Sequence, residues 1–193
     1  MSTFDVKKNP AICALPWIHE YKTIGGKIAP CCQGDGFLEG ETIAGTRESM
    51  LKGIKPRACY ACYKTEQESG WSPRIQETND WIGKFGEPDV NNPSIQFVDV
   101  RYDPTCNLKC KTCGPGSSTL WQKEKGIKIA VSEKNKDFLN EVDKTILKKV
   151  YLAGGEPTYI RSYLQFLQEL FVVNPVCEVI INTNLKKLPD AWK

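Results

Sequence analysis

The chain has 193 residues, 40% hydrophobic and 25% charged, which fits a globular protein of one ordinary domain or two small ones able to bury a core. A net charge of +3 with no long Lys/Arg run argues against a nucleic-acid footprint. The opening "MSTFDVKKNP" lacks the apolar core of a signal peptide and no run approaches a membrane span, so a cytoplasmic location with no membrane partner is expected. Cysteine is the informative residue. It occurs nine times, at 13, 31, 32, 59, 62, 106, 110, 113 and 177, against one histidine, His19. An odd count at short spacings, in a reducing compartment, reads as thiolate ligands rather than disulfides.

In chain order, "WIHEYKTIGGKIAP" alternates around Gly25-Gly26 and predicts a β-hairpin. "TRESMLKG" predicts a short helix with Thr46 as N-cap and Gly53 as its stop. "RACYACYKTEQES" and "PRIQETNDWIGKF" predict two more helical stretches, broken by Gly70. "GEPDVNNP", Gly86 to Pro93, is dense in turn formers and marks a boundary between domains at 1–92 and 93–193. "IQFVDVRYD", from Ile95, predicts a strand, and Phe138, Val142 and Ile146 then share one helical face. "KVYLAGG" is a second strand. Ile160, Tyr163, Leu164, Leu167, Leu170 and Phe171 form an amphipathic helical stripe, and "CEVIINTN" is a third strand. The expected class is α/β: an irregular N-terminal module of hairpin and short helices, then three parallel strands in a βαβαβ run with right-handed crossovers. Such sheets take their ligands at the carboxyl ends of the strands.

"CNLKCKTC", with Cys106, Cys110 and Cys113 spaced C-x3-C-x2-C, directly follows the first of these strands. Three thiolates on one short loop can each bond a different iron of a cubane cluster, which leaves the fourth iron without a protein ligand. An open position of that kind lets a substrate or cofactor bind the metal. The competing reading is a zinc site completed by Cys177 or an N-terminal cysteine.

The cysteine spacing, its place after the first strand, and "AGGEP" (Ala153 to Pro157) after the second together resemble the radical S-adenosylmethionine (SAM) superfamily. The resemblance implies a partial barrel with a [4Fe–4S] cluster on Cys106, Cys110 and Cys113, whose fourth iron is chelated by SAM's amino and carboxylate groups. It implies reductive cleavage of SAM to a 5′-deoxyadenosyl radical that abstracts hydrogen from a substrate. Gly154, Gly155, Glu156 and Pro157 would meet SAM's amino group, with glycine carbonyls exposed and Glu156 accepting from an ammonium. "INTN", ending the third strand, resembles the polar residues placed near methionyl and ribose groups, here Asn182 and Asn184. One position departs from the family: the residue before the last cysteine is commonly aromatic there, and here it is Thr112.

Cys13 and Cys31 near the hairpin ends, with the C-x2-C pair Cys59/Cys62, supply four more thiolates. That set suits a zinc ion and a fully ligated cluster about equally. "ICALPWIHEYKTIGGKIAPCC" and "CYACYKTEQESGWSPR" resemble the SPASM/twitch auxiliary-cluster domain in its one-cluster form. The resemblance implies a second [4Fe–4S] cluster on Cys13, Cys31, Cys59 and Cys62, with Cys32 able to replace Cys31. Of the remaining residues, His19 packs within the hairpin or faces out of it, and Cys177 is a small buried hydrophobe. Trp17, Trp71 and Trp81 cover a small core. Arg74 neutralises a negative cluster, and the stretch from Lys123 to Lys136 is a solvated helix face.

The resembled core is a six-stranded partial barrel, of which three strands are expected here. The sequence is therefore expected to be a fragment of a longer protein, half of a split enzyme, or a shortened gene product without catalysis. A half-sheet edge invites a second chain to complete the barrel. The functional expectation is radical SAM oxidoreductase- or transferase-type chemistry, in a complete or partner-complemented enzyme. It would use SAM, an external electron donor and a peptide or small-metabolite substrate. The alternative is a non-catalytic iron–sulfur or zinc-binding remnant or partner subunit.

Overall fold

A computed structural model of the chain describes residues 2–22, 24–26, 28–34, 36–186 and 188–192, with the backbone alone at Lys134 and Lys136. The chain forms two compact units, residues 1–21 with 27–96, and residues 22–26 with 97–193.

In the first unit, α1 (Leu15–Ile18) is a single helical turn with Pro16 in it, a position where the missing proline N–H costs nothing. The segment carrying Trp17 is therefore helical, and the predicted strand begins only at β1 (His19–Lys22), hydrogen-bonded to β2 (Ile28–Ala29). Gly26 takes φ +78° between them, a left-handed conformation that glycine adopts without penalty.

α2 (Ile43–Leu51) is capped by Thr42, whose hydroxyl accepts the Gly45 N–H at 3.0 Å. Thr46, predicted as the cap, lies inside the helix and donates its hydroxyl to the Thr42 carbonyl at 3.0 Å. α3 (Tyr60–Ser69) stops at Gly70, φ +72°, and α4 (Pro73–Phe85) starts from Ser72, whose hydroxyl accepts the Ile75 N–H. The core of this unit gathers Phe4, Ile12, Leu15, Trp17, Met50 and Trp81. Phe4 meets Trp17 edge-on at 5.1 Å, whereas Trp71, expected in the core, is 49% exposed. Arg47 Nε donates to the Pro16 carbonyl at 2.7 Å, and the buried Tyr63 hydroxyl donates to the Ala11 carbonyl at 2.8 Å.

In the second unit, β3 (Phe97–Val100), β4 (Lys149–Leu152) and β5 (Glu178–Ile181) are parallel, with Phe97 beside Lys149 and Leu152 beside Ile181. Val98, Val100, Val150 and Leu152 are fully buried in this sheet. α8 (Arg161–Val173) buries Tyr163, Phe166, Leu167 and Leu170, a face rotated from the predicted stripe, since Phe171 is 46% exposed.

Between β3 and β4 the chain forms α5 (Thr119–Lys125), α6 (Glu133–Lys136) and α7 (Phe138–Glu141). The single helical face predicted over Phe138, Val142 and Ile146 does not form. Asp143 Oδ1 accepts both the N–H and the hydroxyl of Thr145, a local turn that competes with the helix. Asn174 Nδ2 draws off the Lys144 and Leu147 carbonyls, at 2.9 and 2.7 Å. Ile146 is consequently 43% exposed, while Phe138 is buried against Tyr102. Lys123, Lys125 and Lys128 are exposed, as expected of a solvated stretch, and the side chains of Lys134 and Lys136 lie outside the described ones. Among the described residues no helix is long and apolar enough to cross a membrane.

Candidate functional site

All three strand exits of the second unit carry chemistry. After β3, the chain from Arg101 to Gly114 forms neither helix nor strand, and it bears Cys106 half-exposed and Cys110 and Cys113 exposed. The loop is nevertheless held at several points. The Leu108 N–H points to Cys106 Sγ at 3.4 Å, and the Cys113 N–H closes a turn onto the Cys110 carbonyl at 3.1 Å. Ser118, buried at the start of α5, donates its hydroxyl to the Leu108 carbonyl at 2.7 Å. Trp121 Nε1 donates to the Cys110 carbonyl at 3.0 Å, and Lys109 pairs with Glu124. Helix α5 is thus a template for the cysteine loop.

The exit of β4 explains its two glycines. Gly155 N–H donates to the Asp103 carbonyl at 2.9 Å and Glu156 N–H to the Thr105 carbonyl at 2.7 Å. A Cβ on Gly155 would lie 2.1 Å from the Thr105 carbonyl oxygen, and one on Gly154, φ +106°, would lie 2.8 Å from that of Asp103. The glycines therefore let the β4 exit run against the residues immediately before Cys106.

Glu156 is 1% exposed, and its carboxylate accepts from Thr158 N–H at 3.2 Å, Thr158 Oγ1 at 2.8 Å, Thr183 Oγ1 at 2.5 Å and Asn184 N–H at 2.8 Å. Burial pushes this carboxyl up, but the donors outweigh burial and hold it below the ordinary glutamate value. The acceptor that the resemblance offered to an ammonium is engaged with the loop after β5. Pro157 is buried in a short 3₁₀ turn. Asn184 also donates its side-chain amide to Asn107 Oδ1 at 2.9 Å, between Cys106 and Cys110. Asn182 donates its backbone N–H to Leu152 and has an exposed side chain. Sequence reasoning missed Asn107, Thr183 and Thr105. Their partners lie on other strands, and no local pattern shows them.

The first unit brings together the other four cysteines. Cys13 follows Ile12 at the start of α1, Cys31 follows β2, Cys59 closes a 3₁₀ turn and Cys62 lies in α3. Gly34 allows the Cys31 turn to approach Ala58, whose carbonyl oxygen would be 2.9 Å from a Cβ there. Burial raises all four thiols, Cys13 to about 11 and Cys31 to about 12. Their mutual repulsion adds to the rise: Cys13 and Cys62 act on Cys31, and Cys13, Cys31 and Cys62 act on Cys59. Gathered thiols that are largely screened from water resist ionisation, and a nearby cation would relieve that cost.

Arg74 supplies one positive charge, acting on Cys13, Cys59 and Cys62. Arg74 lies in the first turn of α4, and Thr78 in the same helix accepts the Ala14 N–H with its hydroxyl at 3.1 Å, next to Cys13. As the side chains stand, no group of three or more His, Cys, Asp or Glu among the described residues is arranged to hold a metal ion. The donor set itself, three buried thiols and the half-buried Cys31 beside one buried guanidinium, fits a thiolate-bound metal or cluster. None of the nine cysteines forms a disulfide. Cys177 is buried just before β5, and His19 is buried with Nδ1 3.4 Å from the Pro30 carbonyl.

This geometry defines an α/β protein with a three-thiol loop at the carboxyl end of a parallel sheet and, in the first unit, a set of four thiols of which three are buried. Over 109 residues, 54% of this chain and 33% of the relative, it is 26% identical to the GTP 3',8-cyclase of Helicobacter pylori. It is 24% identical over 101 residues to the GTP 3',8-cyclase of Alkaliphilus oremlandii, covering 52% of this chain and 31% of that protein. These partial likenesses support the radical SAM superfamily; they do not support a SPASM/twitch domain. The chain spans about a third of the length of these curated relatives. No family model and no solved structure matches it.

Proposed function

We propose that the chain is a radical SAM protein whose second unit is the first half of the partial barrel. Cys106, Cys110 and Cys113 hold a [4Fe–4S] cluster with one iron open to SAM, and Cys13, Cys31, Cys59 and Cys62 hold an auxiliary [4Fe–4S] cluster. When bound, the first cluster and SAM supply reductive cleavage of SAM and hydrogen abstraction from a substrate, with an external donor providing the electron. One observation carries this reading: the exposed three-cysteine loop is bonded to the glycine turn after β4 and to the loop after β5, so three strand ends act as one scaffold.

The chain's own residues position rather than react. Ser118 and Trp121 hold the loop on α5, Gly154 and Gly155 let two strand exits touch, and Glu156 fixes the third. The carbonyls of Gly154 and Gly155 and the exposed amide of Asn182 are the groups left for polar recognition of SAM.

Anaerobic reconstitution tests the proposal. Two clusters predict on the order of eight irons per chain, and the triple variant C106A/C110A/C113A is expected to keep about half. Zinc in place of iron would refute it. Formation of 5′-deoxyadenosine from SAM under strong reductant, abolished in the triple variant, would establish the chemistry.

A further inference from the structure

The reading above does not use the buried ion pair at the edge of the four-cysteine site. Arg74 is 4% exposed and its side chain makes three bonds. Nε and Nη2 donate to the two oxygens of Glu66, each at 2.7 Å, and Nη1 donates to the carbonyl of Ile12, the residue before Cys13. Glu66 also accepts the Ser72 hydroxyl, and the guanidinium lies 5.3 Å from the Tyr63 ring centroid. A bidentate fork of this kind fixes the plane of the guanidinium. Nη1 thereby anchors the guanidinium to the backbone beside Cys13, and its charge acts on Cys13, Cys59 and Cys62, while the charge of Glu66 opposes it at Cys62. The pair is neutral as a whole, yet its two ends act on the thiols with opposite sign.

The geometry points to Arg74 as a positioning residue that sets the reduction potential of the N-terminal cluster, with Glu66 as the opposing charge that trims it. This inference rests on the reading that Cys13, Cys31, Cys59 and Cys62 hold an iron–sulfur cluster. Adding one electron makes such a site more negative, so a nearby cation favours the reduced form and a nearby anion opposes it. A staple that merely joined α3 to α4 would give no such opposition of sign.

The test uses the full chain with C106A/C110A/C113A, so that one cluster remains, reduced stepwise with dithionite and followed by electron paramagnetic resonance. Arg74→Gln is expected to make reduction about tenfold less favourable, ~59 mV lower for a one-electron couple. Arg74→Lys is expected to restore most of the shift, and Glu66→Gln to move the midpoint upward. An unchanged midpoint in Arg74→Gln, or Arg74→Gln and Glu66→Gln moving in the same direction, overturns the inference. If Arg74→Gln fails to fold, Glu66→Gln decides the matter: an upward midpoint beside a near-native one in Arg74→Lys supports the inference, and an unchanged or lowered midpoint overturns it. A triple variant with Arg74 intact that takes up no iron instead overturns the underlying cluster reading.

Discussion

Replacing Gly155 by alanine tests whether the glycine turn is fitted to the cysteine loop. The added Cβ would meet the Thr105 carbonyl oxygen at 2.1 Å, its carbon at 2.6 Å and the Pro104 carbonyl carbon at 2.7 Å. These are all backbone atoms, so no side-chain rotation relieves the clash. Room appears only if the two strand exits separate, which breaks the bonds from Gly155 N–H to Asp103 and from Glu156 N–H to Thr105. Overpacking costs ~1–3 kcal/mol and each lost bond about 1 kcal/mol, so a loss of ~3–5 kcal/mol is expected. Urea denaturation measures it. Gly116→Ala is the control: nothing lies within 4 Å of its Cβ, and its stability should stay within about 0.5 kcal/mol. Because Thr105 precedes Cys106, the variant should also lose iron from the three-cysteine loop before the N-terminal site does. A Gly155→Ala protein as stable as the control variant would refute the close-approach argument.

Glu156→Gln should cost about 2 kcal/mol at neutral pH, since all four donors lose a charged acceptor and the amide NH2, placed at the Oε2 position, leaves the Asn184 N–H without one. The native carboxyl is held below the ordinary value of about 4.3, so its contribution is complete above that pH and lost as pH falls through the lower native value. The stability difference between wild type and variant, measured by denaturation from pH 7 down to pH 3, should shrink in that order. Ser118→Ala strands the Leu108 carbonyl and should destabilise the second unit by ~1–2 kcal/mol, with faster iron loss to a chelator. Tyr63→Phe removes the bond to the Ala11 carbonyl and should cost a similar ~1–2 kcal/mol in a thermal melt of the first unit, without changing iron release from the three-cysteine loop.

Local chemistry was legible in the sequence and long-range chemistry was not. α4 runs from Pro73 to Phe85, the stretch "PRIQETNDWIGKF", because the Ser72 cap, a first-turn proline and the following Gly86 act within one segment. Gly70 ends α3 for the same reason. Thr46 was read as the cap of α2, but Thr42 takes that place because its hydroxyl reaches the open Gly45 N–H, while Thr46 lies one turn inside the helix. The helix predicted through Val142 failed because Asn174, on the far side of α8, claims two of its carbonyls. The three-cysteine loop was found by spacing. Glu156 was singled out by its motif, but its partners Thr183 and Asn184 come from another strand exit, and a pairing of that kind has no period to read. Arg74 was visible as a cation near cysteines, whereas the carboxylate that orients it was not.

The bonds from the β4 exit to Asp103 and Thr105 also bear on when the cysteine loop acquires its shape. A chain emerges from the ribosome N-terminus first, at ~5–20 residues per second. Cys106, Cys110 and Cys113 are therefore synthesised before Gly155, Glu156 and Asn184 exist to hold them. The loop is a product of distant contacts, the kind that form late and slowly. Under the proposed function, cluster delivery to this loop would follow folding of β3 against β4, and a peptide carrying only the cysteine motif would be a poor substitute for the folded protein.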